Sequence, residues 1–571
     1  RSLSARAGGI TMTEGSLYKN IFLFSVPLIF SQLLQVLFNM ADVAVVGKFS
    51  SATALGSVGS TSTLVTLFTG FLIGLSNGVN VRVAQYLGAK QEEDTRNCVH
   101  TSLILCALSG LVIAVLCFFL AAPMLELLRT KDDLLPGAVL YFRIYALGMP
   151  ALGIFNFGNA VLSASGDTKR PLAYLTAAGI LNVILNLFFV IVCKMAADGV
   201  ALASVISQYL SAVLILIHMV RLQDSCRVEG KRLRLHGGEA GRILGLGIPA
   251  GIQHMIFAVA NLFIQVGINS FDSTVVSGNS AAVNVDNVIY NVMAAFYTAC
   301  STFMGQNWGA GNKDRMMKSY YISLGYSFLI AAVLGVGFLL CGEPFLYIFT
   351  NDADVVAAGM ERMQIMCFSY CISAFMDCTI AACRGIGRSF VPTIIVILGS
   401  CVFRVVWVYT LFAHFHTIPS LYLLYPFSWI LTAAAEILYF IRCCRRLRIA
   451  QACPKQKYRP SQERSCDGRF FFQFCKACAS RLWQVNRRIW REAASCCSSC
   501  RARRSRVSSS MASASSSTMG AEAGSSSRQM ASRTARYSPS AVPPLRLSSR
   551  CMTASCSPAS RFIRRSTCTR A

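Results

Sequence analysis

Charge is scarce in this 571-residue chain, where only 14% of residues are Asp, Glu, Lys or Arg. A soluble globule carries about 25%, so a string of water-soluble domains is excluded. Acid is scarcer still, with 26 Asp and Glu against 53 Lys and Arg. Histidine is rare, at six copies. His100, His218 and His254 are scattered singles, so the sequence offers no nucleophile–base pair or metal cluster of the kind a membrane-embedded enzyme requires. No cleavable leader is expected either, because the first apolar run is too long and no small-residue cleavage site follows it. The chain opens on Arg1, and Met12 reads as the more natural start, with residues 1–11 upstream of it.

The formal charge of +27 looks like a nucleic-acid signal until it is mapped. From Gln451 onward the chain carries +19, and the first 450 residues carry only +8. Cysteine divides in a similar way, with ten of 24 beyond Gln451. The other 14, such as Cys106, Cys117, Cys341 and Cys401, mostly lie in apolar runs and read as reduced, buried thiols.

Apolar sequence is abundant, at 54% of residues. A spanning helix needs about 20 mostly apolar residues. Twelve runs qualify, at 21–46, 54–80, 98–122, 138–160, 172–193, 199–220, 243–268, 281–304, 319–341, 363–383, 390–413 and 418–441. Pro27 and Pro249 each fall inside a run, where they remove a helix hydrogen bond and favour a bend. One alternating set of connections holds 16 Lys and Arg, and the other holds five: Lys48, Arg129, Lys131, Lys194 and Arg362. The basic set is expected to face the cytoplasm, with both ends of the bundle inside.

The chain repeats itself. Gln85 and Gly88 recur as Gln306 and Gly309, and Gly166 and Pro171 recur as Gly387 and Pro392, each pair 221 residues apart. Pro27 and Pro249, and Asn39 and Asn261, are 222 apart. The expected fold is therefore an all-α membrane protein with twelve transmembrane helices in two pseudo-symmetric six-helix lobes, an architecture of secondary transporters. The expected boundaries are a cytoplasmic segment 1–19, a first lobe 20–220, a linker 221–242, a second lobe 243–448 and a tail 449–571.

Polar residues inside such runs need partners or a wet cavity. Gln32, Gln35, Asn39 and Asp42 form one stripe on the first helix, spaced by three or four residues. Asn182 and Asn186 share a face of the fifth helix. His254, Asn261 and Gln265 do so on the seventh, and Asn284, Asn287 and Asn291 on the eighth. Taken singly, these amides tie helices together. Together they predict a hydrated cleft lined by Gln32, Gln35, Asn39, Asn261, Gln265, Asn287 and Asn291. Asp42 is the sharpest residue, lying about five residues, or roughly 7 Å, from the outer end of its helix. Asn186 and Ser204 are expected at a similar depth, and the group could hold a proton or a sodium ion. The competing role for Asp42 is an interfacial loop cap or a partner for Lys48. Asp286, Asp377 and Glu436 read as salt-bridge or interface groups, Glu436 being close to Arg442, and Arg404 is expected to have an acidic or carbonyl partner.

The segments VPLIFSQLLQVLFNMADVAVVGKF, LNVILNLFFV, GVALASVISQ, STFMGQNWGAGNKDR and CRGIGRSFVPT resemble multidrug and toxic compound extrusion (MATE) transporters of the bacterial type, over residues 12–448. The resemblance implies a V-shaped pair of six-helix lobes that exports small cationic or amphipathic compounds against a proton or sodium gradient. No cofactor other than the coupling ion, no enzymatic activity and no nucleic-acid partner are expected. The expected setting is the inner (plasma) membrane, in contact with its lipid, as a monomer. The family's cation site maps to Asp42, Asn182, Asn186 and Ser204, with Asn186 standing where many members carry Asp. That missing charge favours proton over sodium coupling. A related two-lobed lipid-linked oligosaccharide flippase is the alternative, and it would want a more cationic central cavity.

Beyond residue 448 there is no further spanning run. The tail is Arg- and Ser-rich low-complexity sequence. Cys475-x2-Cys478 and Cys497-x2-Cys500 match a zinc-ribbon spacing. With little periodic apolar sequence around them, the reading favoured for the tail is disorder or non-native coding sequence rather than a zinc knuckle.

Overall fold

The computed structural model describes residues 9–452 except Arg129. Residues 1–8 and the sequence from 453 on, including the four ribbon-spaced cysteines, lie outside the described residues. Regular structure among the described residues is helical throughout.

The first half runs through Leu17–Phe49 (α1), Ala52–Gly88 (α2), Glu92–Leu127 (α3), Leu135–Ala146 (α4), Met149–Ala164 (α5), Lys169–Leu187 (α6) and Ala197–Arg221 (α7). The second runs through Gly237–Ile268 (α8), Ser273–Gly309 (α9), Lys313–Leu340 (α10), the short Gly342–Leu346 (α11) and Ala353–Gly385 (α12). A segmented helix follows, made of Phe390–Val396 (α13), Phe403–Trp407 (α14) and Ala413–Phe415 (α15), and then Ile418–Tyr422 (α16) and Leu424–Ala452 (α17).

Each of the twelve predicted runs falls on helix. Among the described residues ten helices are long and apolar enough to cross a membrane, or eleven if α4 and α5, bent by 45° where they meet, count as one span. The run 281–304 lies in α9, a 37-residue helix that carries Asn284, Asp286, Asn287 and Asn291 and is not among those spans. The outer faces stay apolar and exposed, as at Phe119, Leu127, Leu340 and Ile348. Such a surface suits hydrocarbon and not water.

Lipid tails are as apolar as leucine, so helices in a bilayer associate by close packing, which small residues permit. α2 and α8 show this. A Cβ added to Gly74 would fall 2.4 Å from the Gly251 Cα, and one on Gly78 would fall 2.6 Å from the Gly247 nitrogen. In the second half α12 is the most enclosed helix, with 67% of its apolar window buried.

The internal repeat is legible in the packing. A Cβ on Gly88 would lie 1.9 Å from the Gln306 carbonyl oxygen, and one on Gly309 would lie 1.9 Å from that of Gln85. The turns that follow match too: Lys90 and Gly311 both take positive φ, as do Gly166 and Gly387. A π-helical turn at Phe188–Val192 has its counterpart at Val408–Phe412.

Several hydrogen bonds between the halves gather at this end. Gln85 Nε2 donates to the Gly385 carbonyl at 2.9 Å, and Gln306 Nε2 donates to that of Ala164 at 2.7 Å. Thr302 Oγ1 donates to Asn80 Oδ1 at 2.8 Å. The segment before α1 is strapped to the second half by Arg315, which donates to the carbonyls of Met12, Glu14 and Gly15. The connection between α7 and α8 is docked, with Cys226 and Val228 buried and the Glu229 amide donating to His100 Nε2 at 3.0 Å.

Candidate functional site

The site is assembled where α1 approaches α6. Gly179 makes this possible, because a Cβ there would sit 1.8 Å from the Phe38 ring. Asp42 lies one turn beyond Phe38, and Asn182 and Asn186 lie on the Gly179 face of α6 at three- and four-residue steps. The bare face at Gly179 therefore lets the carboxylate reach the two amides.

Asn186 Nδ2 donates to Asp42 Oδ1 at 2.5 Å and to Asn182 Oδ1 at 3.2 Å. Asn182 Nδ2 donates to Ser204 Oγ at 3.3 Å, and Ser204 Oγ donates to Asp42 Oδ2 at 3.3 Å. The four side chains form a closed ring of hydrogen bonds in which the carboxylate only accepts. Asn182, Asn186 and Ser204 are buried and Asp42 is half-buried. Asn186 Oδ1 is buried with no hydrogen-bond partner. Asp42 has no ion-pair partner among the described residues; Lys48 instead lies over the Phe49 ring, 5.9 Å from its centroid. Val45, Val46, Val190 and Val200 wall the site, with Tyr141 and Tyr145 of α4 beside them.

The donor set is one carboxylate with amide and hydroxyl oxygens. Such hard oxygen ligands carrying a single negative charge suit a proton or a monovalent cation, not a thiophilic metal. No cluster of His, Cys, Asp and Glu that could hold a metal occurs among the described residues. The second half does not copy the site. At the repeat spacing Asp42 corresponds to Ile264, and Asn182 and Asn186 correspond to Phe403 and Trp407. Those two rings pack on each other at 5.6 Å.

The predicted cleft residues are not gathered into one hydrogen-bonded group. Asn39, Asn261 and Asn287 are exposed, and Gln32, Gln35, Gln265 and Asn291 are half-buried. Gln265 Nε2 donates to Asn269 Oδ1 at 2.8 Å, and Asn291 Nδ2 donates to the Asn287 carbonyl at 2.7 Å.

The second half holds buried polar groups that sequence reasoning placed differently. Arg362, expected in a loop, lies inside α12 and pairs with Asp286. It also donates to Asn279 Oδ1, which accepts from the Tyr422 hydroxyl at 3.0 Å. Arg404, expected to meet an acid or a carbonyl, donates to Ser428 Oγ at 3.2 Å and lies over Tyr425 and Trp429. Asp377 accepts from Ser373 Oγ at 2.7 Å. Glu436 is fully buried and neither of its oxygens has a hydrogen-bond partner, so the expected pairing with Arg442 is absent. The salt-bridge reading of Asp286 agrees with its pairing to Arg362; what no local signal marked is the partner of each group, because side-chain pairing across helices is invisible to hydropathy.

A family profile described as MatE matches residues 27–188 and 249–410. "Probable multidrug resistance protein YpnP" of Bacillus subtilis is 30% identical over 361 residues, covering 63% of this chain and 80% of that protein. The "FAD transporter" of Shewanella oneidensis is 23% identical over 326 residues, covering 56% of this chain and 71% of its own length. Among solved structures, a MATE protein in the bent conformation superposes with a TM-score of 0.72 at 20% identity, covering 78% of this chain and 99% of its own. The outward-facing conformation of a multidrug resistance MATE family transporter of the MOP superfamily gives 0.71 at 21% identity, with the same coverage.

Proposed function

This chain belongs to the MatE family, and from that premise we propose that it exports small cationic or amphipathic compounds in exchange for protons taken up at Asp42. The observation that carries the reading is the Asp42–Asn186–Asn182–Ser204 ring with its unpartnered Asn186 oxygen. Sodium is the competing coupling ion; a single carboxylate among neutral oxygens favours the proton.

The coupling follows from hydrogen-bond direction. As a carboxylate, Asp42 accepts on both oxygens. A proton turns one oxygen into a donor, so one neighbour must reverse. Ser204 can do so by rotating its hydroxyl, and Asn186 can do so by turning its amide, which brings the orphaned Oδ1 toward the new O–H. Either change alters how α6 and α7 sit against α1. Proton and cargo are coupled to the extent that each binds one arrangement better than the other.

In this reading the end held by Gln85 and Gln306 faces the cytoplasm and is shut, and the cleft residues open outward. The chain then lies in the inner membrane as a monomer with both bundle ends inside, residues 20–220 and 243–448 forming the two lobes. An outside proton binds at Asp42, cargo affinity falls, cargo leaves, and the emptied lobes rock to the inward state.

The test is transport in proteoliposomes with proton and sodium gradients imposed separately and a fluorescent organic cation as cargo. Asp42→Asn is expected to abolish gradient-driven efflux while still inserting and purifying as a monodisperse protein. Full activity of that variant would refute the assignment.

A further inference from the structure

A cavity of about 250 Å³ opens where the halves meet, lined by Arg82 and Gln85 of α2, Gly241, Arg242 and Gly245 of α8, and Gly387 in the turn after α12. Of these residues the cycle proposed above uses only Gln85, as part of the closed end, and it gives no role to the arginines or glycines. Around the cavity two guanidinium groups face one carboxylate. The Tyr86 hydroxyl accepts from Arg82 Nη2 at 2.6 Å and from Arg242 Nη1 at 3.0 Å, and donates to Glu239 at 2.8 Å. Arg242 also donates to Glu239 Oε1, and Arg82 Nε lies 3.7 Å from Glu239 Oε2.

Glu239 is buried and engaged on both oxygens, so it neutralises one of the two cations and one positive charge is left over. The Nε–H of Arg82 is buried with no hydrogen-bond acceptor. Arg242 keeps 46% of its side chain exposed. The wall between them is bare helix, since a Cβ added to Gly241 or Gly245 would meet nothing within 4 Å. A partly enclosed space with surplus guanidinium charge, at the end of the helices where lipid headgroups lie, has the chemistry of a phosphate site.

We propose that this cavity binds a phosphate group, carried by an anionic lipid or as free phosphate. Its walls come from both halves, so an occupant binds this closed arrangement better than any in which they part, and it holds the Gln85–Gln306 end shut.

The test uses the full-length protein purified in a neutral detergent, with the thermal midpoint followed during titration with phosphatidylglycerol, phosphatidylcholine or inorganic phosphate at constant ionic strength. Phosphatidylglycerol is expected to raise the midpoint and phosphatidylcholine is not. Losing a charge-assisted contact costs about tenfold or more in affinity, so Arg242→Gln is expected to need at least that much more phosphatidylglycerol for half the effect. Gly245→Leu keeps both arginines, adds helix propensity and fills the space, and is expected to weaken the response equally while its unliganded midpoint is no lower than that of the wild type. A response to inorganic phosphate as strong as that to phosphatidylglycerol identifies the free ion as a sufficient occupant. A response to phosphatidylglycerol alone identifies the lipid. If neither moves the wild-type midpoint, or if Gly245→Leu responds as the wild type does, the proposal is overturned.

Discussion

Gln85 and Gln306 exchange their side-chain amides across the boundary between the halves, each donating to a carbonyl on the other side, at 2.9 Å to Gly385 and 2.7 Å to Ala164. The two acceptors are themselves 221 residues apart, the same spacing as the two glutamines. The exchange is the repeat of the sequence expressed as a pair of bonds.

Each such bond contributes about 1 kcal/mol net. Gln85→Ala with Gln306→Ala therefore removes about 2 kcal/mol, which raises the population of the opened end by roughly 30-fold. Hydrogen–deuterium exchange of the amides around residues 85–91 and 306–312 is expected to speed up by a comparable factor in the double variant. Unchanged exchange there would mean that the glutamines do not hold the end closed.

Asn186→Asp places a second carboxylate against Asp42 in the closed hydrogen-bond ring. Two like charges at that distance cannot both stay bare, so the pair must share a proton or hold a metal cation. The variant is expected to gain sodium-stimulated transport that the parent lacks, read as cargo efflux in proteoliposomes under a sodium gradient alone. An equal, sodium-independent rate in both proteins would count against the ring as the ion site.

Arg362 and Asp286 form a buried ion pair inside the second half. Removing one partner strands the other charge, at a cost of about 3–5 kcal/mol, whereas replacing both with well-packed apolar side chains is often neutral. Arg362→Ala is expected to lower the thermal midpoint sharply, and Arg362→Met combined with Asp286→Leu is expected to recover most of the loss. If the double variant melts as low as the single one, the pair serves something other than packing, and its role must be sought in transport.

Most of the architecture was legible in the sequence because a bilayer imposes a length on every apolar run and a duplicated chain leaves a constant offset. Asp42, Asn182, Asn186 and Ser204 were legible because helical spacing put the polar residues on shared faces, and the family pattern joined α1 to α6 and α7. Arg362 was not, since the apolar run that begins at 363 leaves it in a connection, whereas α12 begins at Ala353 behind the Asp352 cap. The bend between α4 and α5 and the π-helical turns, including one at Ile397–Val402, leave no mark in hydropathy. Glu436 was misassigned for another reason: sequence proximity to Arg442 is no guide to which face of α17 a side chain takes.

Gly88 and Gly309 meet main chain with no side chain between. A seam of that kind has no rotamers to readjust and no slack to take up, so it parts as a whole or stays shut. Its closing point is set by the peptide skeleton alone, and a single methyl group on either residue would act as a wedge.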